Sequence, residues 1–411
     1  MRPARRNREP ARTATRRVHR PRRAVDATLV LVFVTVGLSA CLASPASIAK
    51  VSYVSSKTVD GWKYDLYRNT AYPCSISGYQ TFAIGTKVGG PTHASSRPLW
   101  VKMRGGGAGW FDSKGKPQPS AGVKSESSLD ELLSFDSAGL MADVKAAPEG
   151  FRTLIVSMCS HDVYGGDNTP DPHNPNKTPD GKLRPTTGLV ATKAAIQYTM
   201  AHYATSDYIL QGTSAGSAGS FGVAWALQQQ GIPPTAFIAD SGNIDLQWEH
   251  DVVAQGITQG DCSQNSPERA AGVIGRVSPE LASPDAQSDL LISSGKLTVP
   301  VAHVWNHGDQ NVCGDVSMTC TLRNGSKVTL TAADCHHENL RRAIAAEGAG
   351  SRSINVPVCV EGTVKDQACD RHVVTAGTPH AVNTDTTHGI PADYQAYLLT
   401  WVRARLADDT P

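Results

Sequence analysis

The stretch Asp207-Tyr208-Ile209-Leu210-Gln211-Gly212-Thr213-Ser214-Ala215-Gly216 decides the fold. Its first five residues read as an extended, apolar run. Gly212 to Gly216 has the form Gly-x-Ser-x-Gly. Beyond it, Ser217 to Gln230 carries Phe221, Val223, Ala224, Trp225 and Leu227 in a helix-like pattern. Strand, Gly-x-Ser-x-Gly turn and helix in this order make a nucleophile elbow. A serine hydroxyl attacks an ester only if it stands exposed on a sharp turn beside a base. Flanking glycines permit the strained backbone and let strand and helix approach closely. Ser214 is therefore the candidate nucleophile. The Ala215 N–H falls at a helix N-terminus, where it stabilises a developing oxyanion. A Gly/Ser-rich loop without chemistry is the plain alternative, and the flanking strand and helix weigh against it.

Working outward, Pro98-Leu99-Trp100-Val101-Lys102-Met103 reads as an earlier strand. It runs into Arg104-Gly105-Gly106-Gly107-Ala108-Gly109-Trp110. Esterases of the α/β-hydrolase type place a Gly-rich loop after an early strand, and its backbone N–H groups complete the oxyanion hole. Gly106, Gly107 and Ala108 are the candidates, with Ala215. Nucleotide loops fit less well. No Gly-Lys-Ser/Thr follows, and Trp110 stands where a dinucleotide fingerprint needs its third glycine.

In this fold the acid and the base follow the serine in the order Ser, Asp or Glu, His. Val299 to Trp305 reads as a late strand, and Asn306-His307-Gly308-Asp309-Gln310 as the loop after it. Asp309 is the expected acid, fixing the imidazole tautomer and stabilising the imidazolium. Asp240, Asp245 and Asp315 are its rivals. Asp240 ends the strand Ala236 to Ala239, one strand too early, and a turn-forming Asp is the bland reading of any of them. Pro391 to Leu406 has helical spacing and reads as the final helix. His388 stands just before it and is the expected base, with His380 in reserve. His307 precedes the acid and breaks the order.

These blocks resemble the pectinacetylesterase family, the serine hydrolases that include the Notum-like carboxylesterases. The match runs through Gly105-Gly106-Gly107-Ala108-Gly109-Trp110-Phe111-Asp112, then Val156 to Asp167, the elbow, and Asp240-Ser241-Gly242. The resemblance implies an α/β-hydrolase fold: a mostly parallel central sheet flanked by helices, with loop and cap insertions. It also implies a Ser-Asp-His triad and an ester substrate, often an acetylated polysaccharide. Trp110, inside the matched loop, is a candidate substrate-binding residue. The chain departs from the pattern at Arg104, where the family carries Glu, at Gly109 in place of Cys, and at Ser217 in place of Gly. Arg104 alters the charge beside the oxyanion hole.

Ten arginines fall within the first 23 residues, and the apolar run Ala27 to Gly37 follows. Leu38-Ser39-Ala40-Cys41 completes the form of a secretory signal of lipoprotein type, with Cys41 the lipidated residue. Ordinary cleavage near Ala40 or Ala43 is the alternative. The expected organisation is an export segment 1–40, a tether 41–50 and a single catalytic domain 51–408. Setting Cys41 aside leaves eight of the nine cysteines, an even number in an exported chain, so four disulfides are expected. Cys359–Cys369 is the first pair to expect and Cys74–Cys159 the second. Zinc at Cys335-His336-His337 is disfavoured, because the spacing matches no common structural site.

The first 40 residues hold ten of the 39 basic and two of the 37 acidic residues, leaving 29 against 35, a net charge of −6. A mildly acidic body argues against nucleic acid as a partner. Asp167 to Thr187 is rich in Pro, Asn and Asp and reads as a surface loop. Asp261 to Lys296, with a short helix over Glu268 to Val277, reads as part of a cap. The expected protein is an exported, lipid-anchored serine esterase and a monomer. It needs no cofactor and no metal, and it acts on O-acetyl groups of a polysaccharide. A fatty-acyl carboxylesterase and an inactive binding lipoprotein of the same fold are the alternatives.

Overall fold

In the computed structural model, residues 48–408 are described, apart from 91–93, 119–124, 135–137, 259–261, 263–265, 349–350, 363–368 and 377–380. The export segment, Cys41, most of the tether and His380 lie outside the described residues.

Thirteen strands are found among the described residues. They are β1 (Val51–Val59), β2 (Trp62–Pro73), β3 (Tyr79–Lys87), β4 (Arg97–Met103), β5 (Trp110–Phe111), β6 (Pro117–Gln118) and β7 (Arg152–Val156). β8 (Thr205–Thr213), β9 (Ala236–Asp240), β10 (Val301–Asn306), β11 (Ser317–Thr321), β12 (Lys327–Thr331) and β13 (Ile354–Val358) follow. Nine of them form one sheet in the order β1-β2-β3-β7-β4-β8-β9-β10-β13. The six from β7 to β13 in that order run parallel, and β1, β2 and β3 join as antiparallel neighbours. This order, with the elbow at the end of β8, is the α/β-hydrolase fold expected from the sequence.

Every residue of β7, β9 and β10 is buried. Such runs belong to parallel strands covered on both faces. The covering helices are α1 (Leu129–Leu133), α2 (Leu140–Ala146), α3 (Gly188–His202), α4 (Ala215–Gln229) and α5 (Leu246–Ala254). α6 (Pro267–Ile274), α7 (Ser288–Ser293), α8 (Ala332–Ala346) and α9 (Tyr394–Asp408) complete the set. Successive strand residues feed opposite layers. Leu210 packs with Ile196 of α3 and Phe221 of α4, while Ile209 packs with Leu140 of α2 and Leu398 of α9. β1 is exposed along almost its whole length and turns into β2 through Asp60-Gly61, both at positive φ. That is the backbone a two-residue hairpin requires.

Three expectations need adjusting. The final helix starts at Tyr394 rather than Pro391, because the Asp393 carboxylate accepts the Ala396 N–H at 2.9 Å and caps it there. The cap helix ends at Ile274, short of Val277. Asp167 to Thr187 has no regular structure beyond two isolated bridges, yet it is no free surface loop. Asp171, Asn174 and Arg184 are buried within it. Arg184 donates to the carbonyls of Cys74 and Gly78, each at 2.9 Å.

Four disulfides form: Cys74–Cys159, Cys262–Cys313, Cys320–Cys335 and Cys359–Cys369. Both pairs named from the sequence are among them. Cys313 and Cys335 are consumed in disulfides, which removes them as zinc ligands. No helix among the described residues is long and apolar enough to cross a membrane.

Candidate active site

β8 ends in Gly212-Thr213, and Ser214 follows with φ 53° and ψ −123° before α4 begins. The strained turn is held closed by packing. A Cβ on Gly212 would lie 2.3 Å from the Gly216 carbonyl oxygen, and one on Gly216 would lie 2.2 Å from the Met103 oxygen. Only glycine fits where strand, helix and the neighbouring β4 meet so closely. The Ser214 N–H donates to the Asp240 carbonyl at 2.8 Å, which ties the turn to β9.

The Ser214 hydroxyl meets a histidine, but not the expected one. His372 Nε2 stands 2.7 Å from Ser214 Oγ. His372 Nδ1 stands 2.7 and 3.0 Å from the two oxygens of Asp309. The structure thus brings Ser214 and Asp309 to one imidazole, and that imidazole belongs to His372. His388 is corrected by this geometry. Its Nδ1 bonds Asp385 at 2.6 Å, and its ring lies against His307, with centroids 5.0 Å apart. The physical reason is the path of the chain. The segment after β13 reaches the elbow soon after it leaves the sheet, at residue 372. His388 lies 16 residues further on, against Asp385 and His307.

His372 is placed by its neighbours in the chain. The Cys359–Cys369 disulfide closes the loop before it. Asn306, at the end of β10, donates to the carbonyls of Val360 and Arg371 at 2.8 and 2.9 Å. The Asp240 carboxylate accepts the N–H groups of Val374 and Thr375 at 3.2 and 2.7 Å, and the Thr375 hydroxyl at 2.6 Å. Asp240, the rival acid, therefore holds the backbone just after His372. Asp309 is fully buried, and its carboxylate also accepts the Asn311 N–H at 2.9 Å. Burial pushes the Asp309 carboxyl above its ordinary value, opposed by the charge and hydrogen bond of His372.

Gly105, Gly106, Gly107, Ala108 and Ala215 line the same cavity as Ser214. Gly106 and Gly107 have φ of 140° and 75°, backbone that favours glycine, and a Cβ on Gly105 would lie 2.7 Å from the Ser214 Cβ. The loop is braced from behind. The Gly109 N–H donates to the His161 carbonyl at 2.9 Å, and the Tyr164 hydroxyl donates to the Arg104 carbonyl at 3.0 Å. Buried Arg276 donates to the carbonyls of Gly109 and Ser160, and pairs with Asp171 at 2.8 Å. Arg104 is buried, with Nη1 3.1 Å from Glu131. Trp110 does not line the cavity. It packs on α6, where a Cβ on Gly272 would meet the indole at 2.6 Å. The substrate-contact expectation for Trp110 is corrected accordingly.

The cavity has a volume of about 840 Å³. Phe221, Ile244, Trp248, Val273, Ile274 and Leu281 give it an apolar wall, much of it from the cap. Glu249 and Arg269 also face it. Burial pushes the Glu249 carboxyl above its usual range, opposed by Arg269.

His372 and Arg276 are the residues that sequence reasoning missed. For His372 a signal existed: Asp370-Arg371-His372 follows the last strand. Arg276 carried none, because its partners lie between about 100 and 200 residues away in the chain.

No family model matches the chain. No curated protein matches it either. Among solved structures, the Wnt deacylase Notum from Drosophila is 14% identical, with a TM-score of 0.43, over 87% of this chain and 94% of that one. An S-formylglutathione hydrolase from Agrobacterium tumefaciens is 10% identical, with a TM-score of 0.43, over 74% of this chain and 89% of that one. A carboxyl esterase from Tuber melanosporum is 13% identical, with a TM-score of 0.39, over 75% and 78%. Values this low leave the fold to rest on the strand order and the elbow.

Proposed function

We propose that the protein is a serine carboxylic ester hydrolase in which Ser214, His372 and Asp309 act as one unit. The carrying observation is the unbroken chain from Asp309 through His372 to Ser214, opening on an apolar cavity. His372 takes the Ser214 proton as Oγ attacks the ester carbonyl. The tetrahedral oxyanion forms beside the N–H of Ala215 and those of the Gly106–Ala108 stretch. His372 then passes the proton to the leaving alkoxide, and an acyl group remains on Ser214. Water, deprotonated by His372, attacks the acyl-enzyme, and the acid product leaves with Ser214 reprotonated. Asp309 holds the imidazole in the right tautomer and balances its charge in both halves. No cofactor enters these steps.

The cavity supports a substrate with a long acyl chain or a comparably bulky apolar group, over an acetylated polysaccharide. It lies within the roughly 300–1,000 Å³ typical of ligand pockets. An acetyl group buries one methyl, whereas each further methylene contributes about 0.8 kcal/mol. The pectinacetylesterase-like motifs support O-acetyl esters as the second reading. Turnover of p-nitrophenyl esters from acetate to palmitate decides between them. kcat/KM is expected to rise well past butyrate. A profile falling from acetate restores the second reading, and no turnover at any length sinks the hydrolase. The four disulfides support an extracytoplasmic location.

A further inference from the structure

His307 follows β10 directly, and its Nδ1 stands 2.6 Å from Asp334 Oδ1. Asp334 is itself held in place. Its N–H donates to Thr331 Oγ1 at 3.0 Å, and its carboxylate takes the Trp305 indole N–H at 3.1 Å. With the Nδ1 proton given to this carboxylate, the lone pair of His307 sits on Nε2. That nitrogen is buried, and it faces a carboxylate. Asp385 Oδ2 lies 3.4 Å from it, and His388 Nδ1 lies 2.6 Å from the same oxygen. The other Asp385 oxygen is occupied by Thr387, through its N–H at 2.8 Å and its hydroxyl at 2.6 Å. Asp385 thus presents Oδ2 to both histidines.

We propose that His307, Asp385 and His388 bind a divalent transition metal of the zinc class, which clasps the C-terminal segment to the end of β10. Their three donor atoms lie within 4.8 Å of one another. A tetrahedral zinc ion with bonds of about 2.0–2.2 Å sets its ligand atoms roughly 3.3–3.5 Å apart. The His307–Asp385 spacing already has that value. His388 needs to retreat by roughly 0.7 Å to match those zinc-site distances, and its side chain is half exposed and has room to do so. Two imidazole nitrogens and one carboxylate oxygen suit zinc, whereas calcium and magnesium favour oxygen throughout. Water reaches the fourth position from the exposed side of His388. Asp334 behind His307 supplies the carboxylate–histidine support that metal-bound imidazoles carry. A plain surface ion pair explains His388 on Asp385. It leaves Asp385 Oδ2 shared, 3.4 Å from His307 Nε2 and 2.6 Å from His388 Nδ1, which brings three ligand atoms together from two separate pieces of chain.

The clasp is positional, not catalytic. His307 lies two residues before Asp309, and Asp385 and His388 lie on the segment that also carries His372. The metal therefore fastens together the two pieces of chain that present the acid and the base.

The test uses the mature chain, treated with chelator, dialysed, and titrated with zinc chloride by calorimetry, with bound metal counted by atomic absorption. One equivalent per chain is expected, binding at micromolar or tighter, raising the unfolding temperature and resisting millimolar magnesium and calcium. His388→Ala, at an exposed position, is expected to fold and to lose the equivalent. Asp334→Asn keeps all three ligands and is expected to weaken binding about 10–100-fold. Absence of a zinc equivalent in the native chain overturns the proposal. So does an equivalent that persists undiminished in His388→Ala, or an affinity that Asp334→Asn leaves unchanged.

Discussion

At the scale of single residues, two histidines divide the chemistry, and one pair of substitutions separates them. His372 bonds both Ser214 and Asp309, whereas His388 bonds Asp385. His372→Ala is expected to lose as much turnover as Ser214→Ala. The double variant is expected to be no worse than either, because members of one unit give non-additive losses. Asp309→Asn is expected to lower kcat by about 10⁴-fold through the wrong imidazole tautomer. With both proteins stripped of metal, His388→Ala is expected to stay within a few-fold of wild type. Chromogenic-ester kinetics on the purified variants checks all four, and a crippled His388→Ala beside an active His372→Ala would refute the assignment. The serine and the acid were legible because each sits on a local pattern: an elbow between strand and helix, and a loop after a buried strand. The histidine was not. Among the described residues between 359 and 393 there is no strand or helix, and the final helix was the landmark on which the base was anchored. What places His372 is a disulfide, Asn306 and Asp240, and the last two are more than 50 residues away in sequence.

At the scale of elements, the segment 167–187 shows where composition misleads. Its prolines, asparagines and aspartates read as a solvated loop, yet they satisfy buried carbonyls and charges elsewhere. Asn174 donates to the Ser75 carbonyl at 2.8 Å, and Asp171 receives Arg276. Arg276 in turn braces the turn at Ser160 and the loop at Gly109 that ends the oxyanion stretch. One guanidinium thus couples the cap, the long segment and the glycine loop. Arg276→Met leaves Asp171 buried without its partner and is expected to cost about 3–5 kcal/mol. Adding Asp171→Leu is expected to return much of that stability, since an apolar pair replaces a buried ion pair at little cost. It is not expected to restore kcat, because the Gly109 and Ser160 carbonyls still lack their donor. Urea unfolding and ester kinetics on the two variants measure this. An Arg276→Met protein within about 0.5 kcal/mol of wild type would refute the hub, since changes away from such features stay in that range.

At the scale of the whole molecule, a mostly parallel sheet flanked by helices was expected from the elbow and the resemblance, and an even cysteine count gave the number of cross-links; the strand order was not legible. Two of the four partnerships, Cys262–Cys313 and Cys320–Cys335, were not legible, because one joins the chain before α6 to the turn after β10 and the other joins β11 to α8. The two pairs that were legible do different work. Cys74–Cys159 joins residues 85 apart in the chain, at the ends of β2 and β7. Cys359–Cys369 joins residues 10 apart and borders His372. Closing the longer loop removes more freedom from the unfolded chain, about 4–5 kcal/mol against about 2–3 kcal/mol in the chain-entropy account. Activity should rank them the other way. Serine at both Cys74 and Cys159 is expected to lower the unfolding midpoint most, while the folded fraction keeps near-native kcat. Serine at both Cys359 and Cys369 is expected to cost less stability and more kcat, because the loop that aims His372 at Ser214 loses its clamp. Denaturant midpoints and kcat on the two double variants give the comparison. If both quantities fall in the same order, the short disulfide contributes only to stability, and the placement of His372 rests on Asn306 and Asp240 alone.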